Sequence, residues 1–228
     1  MEDGASVLNE RLMNAALTME LYNRLLDCYG EPRWWPADSP YEVIVGAVLT
    51  QNCAWNNVVK AIANIGDRLD PLFILNADDA ELSGMIRPAG FFTQKAGYLK
   101  SVTRWYQRYN FDVETVKAEP LAKLRGELLS TRGIGRETAD AILLYAFGLP
   151  TFVVDAYTAR LNERLRLDAG KGYDDIKQSF ESNLARANQN NVDVYNRYHA
   201  LIVLHGKERC HKKPACAGCP LKDMCGYN

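Results

Sequence analysis

Residues 129–143 read LSTRGIGRETADAIL, and residues 152–160 read FVVDAYTAR. The first stretch decides the fold. A helical apolar pattern over 121–130 runs into the turn TRGIG at 131–135, and a second helical pattern follows over 136–147. Glycine adopts left-handed backbone and leaves no side chain in a partner's way. Gly133 and Gly135 therefore predict a helix–hairpin–helix corner, with Ile134 anchored inward. Such a corner aims backbone N–H groups and a helix N-terminus outward beside Arg136, which suits a phosphate oxygen. A Gly-x-Gly between helices is also an ordinary tight turn.

The second stretch adds a carboxylate. Val153 and Val154 run apolar into Asp155, which opens the helix AYTARL. Aspartate at a helix start satisfies free N–H groups as an N-cap. The same placement holds a carboxylate in one orientation, as a catalytic group requires, and both roles can hold together.

Outward from these segments helical periodicity dominates, broken by Gly, Pro and Asp/Asn clusters. Helices are predicted over 6–29, 40–51, 55–69, 78–86, 93–109, 121–130, 136–147, 155–166, 173–188 and 192–206. Thr151 to Val154 is the best strand-like run, so the class expected is all-α. The aromatic turn EPRWWPA at 31–37 cannot be helical, because Pro32 and Pro36 bracket it.

Composition sets looser bounds. The chain has 228 residues, 47% hydrophobic and 24% charged, with a net charge of −1. That is ordinary for a soluble domain or two small lobes. Near-neutral charge gives no global sign of nucleic acid, although a duplex binder needs cations only where phosphates lie. No apolar run reaches the ~20 residues of a membrane span. MEDGASVLNERL lacks a basic flank leading into an apolar stretch, so no secretory signal is expected. A cytoplasmic location follows.

Taken together, the hairpin and Asp155 segments resemble the helix–hairpin–helix DNA glycosylase superfamily. That resemblance implies an enzyme that extrudes a damaged base from double-stranded DNA and breaks its glycosidic bond, with Asp155 as the catalytic carboxylate. It implies that Gly133, Ile134 and Gly135 grip the backbone beside the lesion, with Arg136 next to them. Endonuclease III, a bifunctional member, carries a lysine where this chain has Glu137. A carboxylate cannot form an imine, so a monofunctional, water-using enzyme is expected.

Further segments resemble the 3-methyladenine DNA glycosylase III family: WWP at 34–36, GAVLTQN at 46–52, IRPAGFFTQKA at 86–96 and LHGK at 204–207. This resemblance implies that Gln51 and Phe91 enter the duplex. It implies that Trp35 and Trp55 line the base pocket, shaped by Trp34 and Pro36, with Glu137 adding negative potential. A ring-methylated purine is cationic and is held over electron-rich indoles by ~1–2 kcal/mol or more when desolvated. An alkylated purine such as 3-methyladenine is therefore the expected substrate.

Six cysteines occur, four of them in the tail as Cys210-x5-Cys216-x2-Cys219-x5-Cys225. Cys28 and Cys53 read as small hydrophobes. Four thiolates on one loop suit a [4Fe–4S] cluster or zinc. The spacing resembles the cluster loop of endonuclease III with one residue fewer in its first gap, which favours the iron–sulfur cluster. The best-studied 3-methyladenine glycosylases III lack this loop, which leaves room for a drifted substrate.

The architecture expected is two helical lobes with a DNA-binding cleft between them. A six-helix barrel over 39–149 would carry the hairpin, and 1–38 with 150–228 would form the iron–sulfur cluster domain, its loop at 210–225. A monomer is expected, associated with a bacterial or archaeal nucleoid. The alternatives are an endonuclease III-like glycosylase and lyase acting on oxidised pyrimidines, a mismatch thymine or uracil glycosylase, and a non-catalytic metal-stabilised DNA-binding module.

Overall fold

The computed structural model describes residues 2–167 and 169–227, with side chains from residue 13 onward. The side chains of residues 1–12, on which the expectation of no secretory signal rests, lie outside the described residues. Among the described residues the chain is helical and no strand forms. No helix among them is long and apolar enough to cross a membrane. The chain divides into two compact units: a contiguous one, Trp35–Leu149, and one built from Met1–Trp34 with Pro150–Asn228.

The contiguous unit is built around α2 (Pro40–Leu49), in which every residue from Tyr41 to Leu49 except Glu42 is buried. A helix apolar all round must be covered on all sides. The cover comes from α3 (Trp55–Ile65), α6 (Phe92–Gln107) and the turn that follows α9 (Arg136–Ala141). Ser39 caps α2 by accepting from Glu42 N–H, and Pro40 stands at the first helical position, where its missing N–H costs nothing.

Between these helices lie α4 (Pro71–Asn76), α5 (Asp79–Met85), α7 (Val113–Lys117) and α8 (Leu121–Leu129). Asp70, Asp78 and Asp112 cap α4, α5 and α7. The sequence reading missed α4 and α7, which are too short to show a period. The helix predicted over 136–147 is α-helical only to Ala141 and continues as a π turn, Ile142–Ala146.

The second unit packs α1 (Glu2–Tyr29) on α11 (Tyr173–Arg186) and α12 (Val192–Glu208), and α10 (Ala156–Leu165) on α12. Its core is aromatic. Phe152 stacks on Phe180 at 4.7 Å and meets Tyr195 and Tyr198 edge-on. Thr151–Val154 is buried but forms no strand. Glu181 Oε1 accepts the Phe152 N–H at 2.8 Å instead, and Lys177 bonds both Glu181 and Thr151. The two other cysteines are not core: Cys28 is exposed, and Cys53 is part-exposed in the turn after α2.

Across the hairpin, Arg125 on α8 grips Asp140 on α9 through Nε–Oδ1 at 2.9 Å and Nη2–Oδ2 at 3.1 Å. Asp140 is fully buried. Removing one member of a buried pair strands the other charge. Arg125→Ala is expected to destabilise the protein by about 3–5 kcal/mol in denaturant unfolding; a loss under about 1 kcal/mol would show the pair to be incidental.

Candidate active site

The hairpin turn has two unlike glycines. Gly133 has φ +84°, and a Cβ there would lie 2.1 Å from the Tyr98 ring, so no other residue fits. Gly135 has φ −92° with extended ψ, and nothing lies within 4 Å of where its Cβ would stand. Of the two glycine properties, positive φ is used at Gly133 and the absence of a side chain at Gly135. Gly135 leaves open space in front of the start of α9, where no side chain caps the helix. Ile134 is buried, as expected, while Arg136 and Glu137 are exposed in the first turn of α9.

Gln51 follows the C-terminus of α2, and its Nε2 donates to Gly133 O at 2.9 Å and Thr138 Oγ1 at 3.0 Å. In this state its amide is engaged by the hairpin. Phe91 is the opposite case, 65% exposed and held at φ 47°, ψ 31°. A bulky residue in left-handed backbone is a strained feature, the kind found at binding sites.

The tryptophans separate. Trp35 meets Trp55 at 5.2 Å with their planes at 90°, and meets Tyr145 at 5.3 Å. Gly46 lets the Trp35 indole lie on α2, since a Cβ there would stand 3.3 Å from the ring. Trp34 belongs to the other unit and carries the Lys207 ammonium 5.6 Å from its ring centroid. Pro36 is exposed.

Asp155 caps α10. Its Oδ1 accepts from Thr158 N–H at 2.8 Å and Thr158 Oγ1–H at 3.0 Å. Its Oδ2 lies 3.8 Å from His199 Nε2, and the Asp155 side chain is 12% exposed. Burial pushes the His199 imidazole down, with Asp155 opposing the shift.

The four tail cysteines wall one cavity of about 340 Å³, together with Leu161, Leu165 and Leu221. Arg164 Nη1 donates to Cys210 Sγ at 3.0 Å and to His211 O at 2.7 Å, and Arg160 Nε holds Cys210 O at 2.7 Å. His205 Nε2 lies 3.9 Å from Cys219 Sγ. Burial raises the Cys219 thiol, and the other three cysteines add to the rise. Among the described residues no three His, Cys, Asp or Glu side chains converge as one bare ion would need.

Tyr145 and His199 were missed in the sequence. Tyr145 sits in the π turn, a feature that often marks functional sites but has no local sequence signature. His199 lies in YHALIVLHG and reads there as one more core position of α12.

Residues 45–186 match the family model described as HhH-GPD superfamily base excision DNA repair protein. The chain belongs to that superfamily. A Methanocaldococcus jannaschii protein classed by its name among the DNA repair glycosylases is 48% identical over 90% of this chain and 94% of its own length. Endonuclease III of Haemophilus influenzae is 29% identical over 94% and 97%. The H. pylori 3-methyladenine DNA glycosylase bound to 1,N6-ethenoadenine superposes with a TM-score of 0.72, is 28% identical, and covers 86% of this chain and 97% of that one. An HhH-GPD member of this kind is a DNA glycosylase, and the matched span contains Gln51, Phe91, the hairpin and Asp155 but stops before the cysteine tail.

Two buried imidazoles set an acid limit on this HhH-GPD fold. Burial lowers His199, and burial with Arg209 holds His205 at about 4. Unfolded imidazoles take up protons near ~6.5. Stability from both groups is thus full above that pH and is lost as pH falls below it, for His205 down toward about 4. The urea midpoint is expected to fall between pH 7 and 5, and less steeply in His199→Gln; an equally steep fall in the variant would remove His199 from the account.

Proposed function

We propose that this protein is a monofunctional DNA glycosylase that hydrolyses the N-glycosidic bond of an extruded alkylated purine such as 3-methyladenine. The observation that carries the reading is the aromatic corner of Trp35, Trp55 and Tyr145. Electron-rich faces attract a cationic base and discriminate against neutral ones. The likeness to a 3-methyladenine glycosylase adds support.

In this reading Asp155 works as the carboxylate at the sugar. It stabilises the oxocarbenium-like transition state and takes a proton from water as the water oxygen bonds to C1′. The C1′–N bond breaks with its electron pair going to the base, which leaves neutral because it began cationic. Free base and an abasic site result. Thr158 keeps Oδ1 of Asp155 oriented throughout.

Gly133, Ile134, Gly135 and Arg136 hold the phosphate backbone of duplex DNA, bound by a single copy of the chain. Gln51 and Phe91 enter the duplex, Gln51 first exchanging its bonds to the hairpin. Trp34 and Pro36 shape the entrance to the base pocket, and Glu137 contributes negative potential.

The four tail cysteines suit a [4Fe–4S] cluster better than zinc. A single zinc needs its donors at ~2.3 Å from one point, whereas these thiols stand around a cavity of about 340 Å³. Such a cluster would supply a rigid core to a tail with little apolar packing of its own. Purified protein is expected to be brown, with about four iron atoms per chain; colourless protein holding one zinc would overturn this assignment.

The endonuclease III relatives favour a second reading, a glycosylase and lyase for oxidised pyrimidines. Glu137 opposes it, since no amine stands at that position. Borohydride trapping of a protein–DNA adduct would establish the second reading and end the first. Asp155→Asn is expected to lower 3-methyladenine excision by about 10²- to 10⁴-fold while duplex binding persists. Trp35→Ala and Trp55→Ala should lose excision far more than binding. Excision surviving Asp155→Asn would sink the catalytic assignment, and no excision of any base by the parent protein would leave a DNA-binding module.

A further inference from the structure

Lys95 lies in the first turn of α6 and is 2% exposed, one of the largest fully buried side chains. An ammonium is kept from water only where polar partners replace it. Its Nζ donates to Leu49 O at 2.8 Å and to Ala89 O at 2.8 Å. Leu49 is the last residue of α2, and Ala89 the last of the 3₁₀ turn Arg87–Ala89. Carbonyls at helix ends lack an intrahelical partner and carry the negative end of the backbone dipole, so a cation suits both. Burial lowers the Lys95 pKa, with the Cys53 thiol opposing the shift.

Two residues beyond each carbonyl stands a side chain assigned above to the duplex: Gln51 after Leu49, and Phe91 after Ala89. Both loops turn through left-handed backbone, at Asn52 with φ 51° and at Phe91 with φ 47°. The N–H of Lys95 also donates to Phe91 O at 2.9 Å, so one residue holds the Phe91 loop by its backbone and both loops by its side chain.

The geometry points to Lys95 as a positioning residue that fixes the spacing between the loops carrying Gln51 and Phe91, so that the two side chains enter a duplex together. This inference rests on the proposed insertion of those two residues. An ammonium is compact and has three donors, which lets a single side chain serve carbonyls from two segments. With both bonds in place neither loop moves without breaking a charge-assisted bond to the other's anchor. The pair would then share the work of stabilising a duplex emptied at one position, while an intact duplex would not use it.

Affinity for a duplex holding a tetrahydrofuran abasic-site analogue, measured beside an intact duplex, tests the coupling in Lys95→Met, Lys95→Arg, Gln51→Ala, Phe91→Ala and the pairwise doubles with Lys95→Met. Lys95→Met is expected to weaken analogue binding about tenfold or more while intact-duplex binding stays within about twofold. Lys95→Arg, which keeps the charge and the donors but is bulkier, should recover only part of the loss. Adding Phe91→Ala or Gln51→Ala to Lys95→Met should cost less than about twofold further, because coupled sites are not additive.

Fold-changes that simply multiply, or equal losses on both duplexes, would overturn the coupling and leave insertion standing. Unchanged analogue binding in both Gln51→Ala and Phe91→Ala would remove the insertion reading, and the pairing with it. A borohydride-trapped adduct that disappears in Lys95→Met would make Lys95 a nucleophile and also overturn the inference. Should Lys95→Met melt below the assay temperature, Lys95→Gln, whose amide reaches one carbonyl, replaces it under the same criteria.

Discussion

The carboxylate proposed to act at one sugar carbon cannot be left to rotate, and Asp155 is fixed by its own helix. One oxygen closes on Thr158 through two bonds, which sets the torsion of the side chain and with it the direction of the other oxygen. That arrangement depends on where α10 begins. The start of α10 depends in turn on the buried run before it, held by the Phe152 stack and by Glu181, which accepts the Phe152 N–H. A cap, an aromatic core and one part-exposed carboxylate acceptor thus act in series on a single torsion angle.

The contiguous unit solves a different problem, which is presenting backbone and rings without burying them. Gly133 lets the turn close over Tyr98, and the Arg125–Asp140 pair locks the two helices so that the turn has one shape. Gly135 then stands clear. A few residues later the helix widens into a π turn, which rotates the following side chains relative to a regular α-helix. Tyr145 consequently faces Trp35 and joins an aromatic group whose other members come from distant parts of the chain.

Much of this was legible in the sequence, for identifiable reasons. Long amphipathic helices such as α6 and α12 declare their period, and the glycine turn and the cysteine spacing are local patterns. α4 and α7 were missed because six and five residues are too few to repeat, although Asp70-Pro71 and Asp112 are capping signals. Thr151–Val154 looked like a strand because β-branched residues favour extended backbone whether or not a partner exists. Lys95 sits in FFTQKAGYLK like any surface lysine of a helix; only the meeting of a distant carbonyl, Leu49, with a near one, Ala89, makes it interior. Trp34 and Trp35, adjacent in sequence, belong to different units, and no periodicity could have divided them.

The discontinuity of the second unit has a consequence for how the protein is made. α1 packs on α11 and α12, which a ribosome delivers only after the whole of Trp35–Leu149 has emerged. The contiguous unit can condense early, from local helix pairs of low contact order. During that interval α1 waits with its apolar face uncovered, the state in which nascent chains aggregate or engage chaperones. Slow or stalled translation past residue 150 therefore endangers the N-terminal helix more than the segment being synthesised.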